Sequence, residues 1–76
     1  MTIATKFELM NTLEQYTINY NDRTTTYYGY LDEAMKYANR FIANNITIEW
    51  DGVVVASRYY NEQLDDYSEW GLAKYN

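Results

Sequence analysis

Apolar residues recur at three- and four-residue steps between Leu31 and Ile42, where Leu31, Ala34, Met35, Ala38, Phe41 and Ile42 trace one stripe. That period is helical, and it predicts a helix over roughly Asp32 to Asn44. Asp32 and Glu33 put negative charge in its first turn, Lys36 and Arg40 follow, and Asn44-Asn45 can close its last turn. The pattern then changes to period two. Ile46-Thr47-Ile48-Glu49-Trp50 alternates, Asp51-Gly52 follows, and Val53 to Tyr60 is β-branched and aromatic. Asp-Gly is favoured in a type I′ turn because both positions need positive φ, so this segment predicts a hairpin pairing Trp50 with Val53. That register puts Ile46, Ile48, Trp50, Val53, Val55 and Tyr59 on one face. The other face takes Thr47, Glu49, Val54, Ala56, Arg58 and Tyr60, and the helix stripe covers the first.

A similar alternation precedes the helix. Gln15 to Tyr20 alternates, Asn21-Asp22-Arg23 is turn chemistry, and Thr24 to Tyr30 is again β-branched and aromatic. Tyr16, Ile18 and Tyr20 are the expected inward face. For the second strand, the Tyr28/Tyr30 set and the Tyr27/Leu31 set are both open. The first fourteen residues fit a helical stripe (Ile3, Phe7, Met10, Leu13) and also a strand, and a short helix is the expectation. At the far end, Leu64, Tyr67 and Trp70 recur at steps of three. They suggest a helical turn, closed by Gly71.

The order is therefore β-β-α-β-β with short terminal segments. The economical architecture is α+β: an antiparallel four-stranded sheet with one helix packed on one face. Seventy-six residues suit one domain spanning 1–76, near the lower limit for a chain that folds on a single core.

Composition narrows the chemistry. There is no cysteine and no histidine. Their absence removes the thiolate nucleophile, the commonest general base and the commonest metal ligands. Gly29, Gly52 and Gly71 are isolated, so no glycine-rich phosphate loop can be built. The expectation is a non-enzyme without cofactor or metal, acting by binding.

Eleven acidic against six basic side chains give a net charge of −5. That field repels nucleic acid and anionic membrane, and it favours basic protein surfaces. The acid is concentrated late in the chain, in Glu62, Asp65, Asp66 and Glu69. Runs of this kind are most often a solvated face, but they can also stand in for the phosphates of a nucleic acid. Ten tyrosines exceed what so small a core can bury and satisfy, so some lie at the surface, where tyrosine favours contacts. Tyr27 or Tyr28 with Tyr60, beside Glu49 and Arg58, would form an aromatic patch on the uncovered sheet face. The candidate partner-binding residues are Glu49, Arg58, Tyr60, Glu62, Asp65, Asp66, Tyr67, Glu69 and Trp70. The opening Met-Thr-Ile-Ala-Thr-Lys-Phe-Glu is unlike a signal peptide, so a cytoplasmic location is expected.

The stretch Tyr27-Tyr28-Gly29-Tyr30-Leu31-Asp32-Glu33-Ala34-Met35-Lys36-Tyr37-Ala38, followed by Ile46 to Tyr60, resembles the small β-β-α-β-β proteins common in phage and prophage genomes. Some of these are anti-CRISPR inhibitors, and others inhibit host RNA polymerase or DNA-repair enzymes. The likeness covers roughly residues 15–60 and is one of pattern and size. It implies a small inhibitor of a host nucleic-acid-handling complex, first of all a CRISPR effector, acting in the host cytoplasm. The partner would be a host protein complex with a basic surface, without direct contact to nucleic acid or membrane. The alternative is a structural homo-oligomer or accessory protein, such as a homodimer, that buries the open sheet face or an edge strand against its own copy.

Overall fold

The computed structural model describes residues 12–72. Two hairpins flank a helix. β1 (Glu14–Tyr20) and β2 (Arg23–Gly29) form the first, followed by α1 (Leu31–Ala38). β3 (Asn45–Trp50) and β4 (Val53–Asn61) form the second, and the chain closes with β5 (Asp66–Tyr67) and β6 (Gly71–Leu72). The antiparallel sheet runs β2-β1-β3-β4-β5, and β6 also pairs with β4.

Both hairpin loops have two residues, each with positive φ: 46° and 61° at Asn21 and Asp22, then 51° and 78° at Asp51 and Gly52. This is type I′ geometry, whose twist matches that of the strands it joins. Asparagine, aspartate and glycine tolerate it at little steric cost.

The helix starts where Tyr30 turns extended, and the Glu33 carboxylate accepts the Tyr30 backbone N–H at 3.0 Å. Leu31, Ala34 and Ala38 bury their side chains against the sheet. The helix stops at Ala38, six residues before its predicted end. The turn tightens there, with the Arg40 N–H donating to the Tyr37 carbonyl and the Phe41 N–H to the Ala38 carbonyl. Tightening lets Phe41 stack on Tyr20, centroids 3.9 Å apart and 13° from parallel. Ala43 is buried, and Ile42, counted in the stripe, is exposed. The Asn21 side-chain amide holds the Ile42 carbonyl at 2.7 Å.

The core lies between helix and sheet: Tyr16 and Ile18 of β1, Leu31, Ala34 and Ala38 of α1, Ala43, Ile46 and Ile48 of β3, and Val55 and Ala56 of β4. Each fully buried aliphatic side chain of valine, leucine or isoleucine contributes about 1.5–3 kcal/mol relative to exposure. Register resolves the open choice in β2. Tyr16 pairs with Tyr27 and Glu14 with Gly29, so Tyr27 shares the helix side, while Tyr28 faces away, 67% exposed.

Three expectations need correction. The sheet has five to six strands rather than four, because the segment after Asn61 is not a helical turn; it folds back as β5 and β6 along the free edge of β4, and Gly71 opens a strand instead of ending a helix. The second correction lies within β4. Ile48 pairs with Ala56 but Glu49 pairs with Val54, which leaves Val55 as an extra residue, a β-bulge. Val55 and Ala56 are both buried, and the alternation beyond them is reversed. Arg58, paired with Ile46, and Tyr60 therefore share the helix side, while Ser57 and Tyr59 take the open side. Third, the expected patch of Tyr60 and Arg58 beside Glu49 does not form. The expected short helix at the start falls mostly outside the described residues, and Glu14 already opens β1.

Candidate partner-binding surface

After the bulge, β4 carries Arg58 and Tyr60 past the end of the helix, and the chain turns back over them. Asn61 starts the turn: its side-chain oxygen accepts the backbone N–H groups of Gln63 (3.0 Å) and Leu64 (3.4 Å). The Asp65 N–H reaches the Glu62 carbonyl, and Asp65 takes positive φ (51°), which an aspartate tolerates better than most residues. Tyr60 donates its phenolic hydrogen to Asp65, bracing the loop. That bond is the leading cause of a Tyr60 pKa above the ordinary value, followed by desolvation and the neighbouring Tyr67 and Asp66. The Asp66 carboxylate accepts the Tyr67 N–H at 2.7 Å.

Behind the turn lies an arginine held by rings. The Arg58 guanidinium sits 4.2 Å from the centroid of Tyr67 and 5.5 Å from that of Trp70. Its Nη1 donates to the Asn39 side-chain oxygen at 2.8 Å, and the Trp70 indole N–H donates to the same oxygen at 3.0 Å. Tyr60 meets Tyr67 edge to face, centroids 5.4 Å apart. Between β5 and β6, Ser68 continues the pairing with β4: its N–H donates to the Tyr59 carbonyl, and its hydroxyl accepts the Tyr59 N–H.

The structure thus brings together Arg58, Tyr60, Asp65, Tyr67 and Trp70, largely as mutual partners. Glu62, Asp65, Asp66 and Glu69 are exposed around them. Leu64, 74% exposed, stands at the tip of the turn among these carboxylates. Glu49 lies apart, on the opposite side of the sheet. It accepts the Asn19 side-chain amide at 2.8 Å, in a polar network with Thr47 and Thr24. The open face is therefore polar at its centre.

Sequence reasoning missed Asn39 and Leu64. Nothing in the local pattern marks Asn39, because its role comes from a strand and a tail remote in sequence. It also missed a shallow groove of about 370 Å³ lined by Tyr27, Glu33, Lys36, Tyr37 and Arg40. In it Tyr27 lies against Tyr37, and Arg40 lies 4.5 Å from the Tyr37 ring centroid. Among the described residues, no group of carboxylates is arranged to hold a metal ion, and no helix is long and apolar enough to cross a membrane.

Compared with protein-family models, curated proteins and solved structures, the chain matches none.

Proposed function

We propose that this protein is a small acidic inhibitor that binds a host nucleic-acid-handling complex, a CRISPR effector first, and blocks it sterically. In this reading it works in the host cytoplasm without catalysis. The turn 61–66 enters a basic groove of the target, with Glu62, Asp65, Asp66 and Glu69 lying where nucleic-acid phosphates otherwise lie. Leu64 supplies an apolar anchor within the charged rim.

The observation that supports this reading is the contrast between the acids and Arg58. Arg58, a cation of the adjoining strand β4, is turned in between Tyr67 and Trp70 and bonded to Asn39, while the four carboxylates remain exposed on a braced frame. A rigid presentation lowers the ordering cost of binding. The alternative, a structural oligomer that buries the open sheet face, has less support, because the middle of that face is a hydrogen-bonded polar network.

The test is capture of targets from nuclease-treated bacterial lysate containing CRISPR effectors, followed by association kinetics with the captured complex. A stoichiometric host complex should survive the nuclease. Glu62→Lys with Glu69→Lys spares the bonds that brace the turn, and should slow association by about tenfold or more at low salt. Recovery of the bait alone rejects the reading, and unchanged kinetics in the double variant reject the phosphate mimicry.

A further inference from the structure

The two edges of the sheet are built differently. On the β4 side the edge is taken by β5 and β6, two-residue pieces separated by Ser68–Trp70, with Asp66 in β5 and Asp65 and Glu69 beside it. Short, broken and charged edges resist pairing with another chain. The other edge is β2, Arg-Thr-Thr-Thr-Tyr-Tyr-Gly, seven residues with one charge, no proline and no bulge. Among the described residues, nothing pairs with its outer side.

We propose that β2 pairs antiparallel with β2 of a second copy about a two-fold axis through Thr26, joining the two sheets into one. Three observations point to this partner and register.

The first is the direction of the backbone groups. Tyr20 and Arg23 close a two-residue loop, so they exchange hydrogen bonds, and the pattern alternates from there. Arg23, Thr25, Tyr27 and Gly29 turn their N–H and carbonyl towards β1, and Thr24, Thr26 and Tyr28 turn theirs outwards. A dyad at Thr26 puts Thr26 opposite Thr26 and Thr24 opposite Tyr28, so every outward group meets another. Shifting the register by one pairing step in either direction leaves one of them unmatched.

The second is side-chain fit. The facing pairs become threonine with threonine and threonine with tyrosine, combinations that stabilise adjacent strands, and no like charges meet. Tyr28, now the most exposed ring of the strand, gains a neighbour on its own face.

The third is charge. In this register Arg23 of one copy lies opposite Gly29 of the other, which has no side chain to block it. Beside Gly29 on the same face are two carboxylates: Glu14, its partner on β1, and Glu33, whose Oε1 lies 3.0 Å from where a Gly29 Cβ would stand. The one cation on the edge thus reaches an acidic recess at each end of the joint.

The full-length chain in sedimentation or light scattering should show a species of twice 9.1 kDa at micromolar concentration. Thr26→Pro removes an N–H that faces away from β1, so the hairpin keeps its own ladder while the joint loses its central pair. Its dissociation constant should rise about tenfold or more, with circular dichroism unchanged. Arg23→Glu should weaken the dimer similarly, and adding Glu14→Lys should restore part of the loss. Within one chain these two residues stand at opposite ends of a hairpin of seven-residue strands, so restoration acts only between copies. A chain that stays monomeric overturns the proposal. So does a dimer indifferent to both Thr26→Pro and Arg23→Glu.

Discussion

The Arg58 guanidinium lies 4.2 Å from the centroid of the Tyr67 ring. This pairing ties the last segment of the chain to the sheet. Arg58 is on β4, and Tyr67 belongs to the strand that folds back beside it. An ammonium or guanidinium over a ring contributes about 0.5–2 kcal/mol, depending on how far it is shielded from water. Here the Trp70 ring and the Asn39 side chain also engage Arg58.

Arg58→Ala removes the cation and leaves Asn39 with one donor fewer. The expected loss is about 2 kcal/mol, with the melting temperature lower by about 10 °C. Arg58→Lys should recover little of it, since an ammonium cannot lie flat on the ring. Urea unfolding followed by tryptophan fluorescence measures both, and wild-type stability in Arg58→Ala would show that the rings hold the tail without the cation.

Tyr60 gives a dependence on pH. Its bond to Asp65 first, then desolvation and the charges of Tyr67 and Asp66, raise its pKa above the ordinary 10.0. The fold therefore favours the neutral phenol. Its contribution to stability is complete below pH 10 and is lost as the pH rises through the higher folded value. The difference between ultraviolet titrations of the wild type and of Tyr60→Phe should isolate one phenol that ionises above the ordinary value. A difference curve centred at or below that value would contradict the bond to Asp65.

Gly52 and Gly29 respond to the same substitution for different reasons. Gly52 holds φ +78° with open space where a Cβ would stand, so Gly52→Ala meets backbone strain alone, at about 1 kcal/mol. Gly52→Asn should cost less, because asparagine tolerates that region. At Gly29 an added Cβ would stand 2.8 Å from the Tyr27 ring and 3.0 Å from Glu33 Oε1, so Gly29→Ala must push that ring from its place beside Tyr37 and crowd the Glu33 carboxylate. Denaturant midpoints of the three variants, with and without Tyr27→Ala, separate the two causes: partial relief should occur at Gly29 and none at Gly52.

The parts of this fold legible in the sequence are those set by near neighbours. The start of α1 follows from Leu31, Ala34 and the acids beside them. Both hairpins follow from turn dipeptides that accept positive φ, and the burial of Tyr16, Ile18, Ile46 and Ile48 follows from alternation. What could not be read depends on distant partners. A bulge at Val55 has no local signature in a run of three valines, since each is an equally good strand residue. It is set by the burial of Val55 and Ala56 together in the core. The tail was misjudged because Leu64, Tyr67 and Trp70 mimic a helical step, whereas β4 offers a free edge that only the folded sheet displays. The acids of the candidate surface were visible as charges. That Arg58 would be withdrawn from them was not, because its direction depends on the bulge three residues earlier.

That bulge has a consequence for how this protein can vary. Along most of β4 a change of residue alters one contact and leaves its neighbours where they are. Around Val55 the number of residues matters as well as their identity. One residue more or fewer between the Asp51-Gly52 turn and Arg58 would turn the remainder of the strand over, delivering Arg58 and Tyr60 to the opposite side and stripping Tyr67 and Trp70 of their companion. Families descended from this chain would therefore be expected to vary at the exposed Val53, Val54 and Ser57 while keeping small or aliphatic residues at 55 and 56 and the length of the stretch fixed.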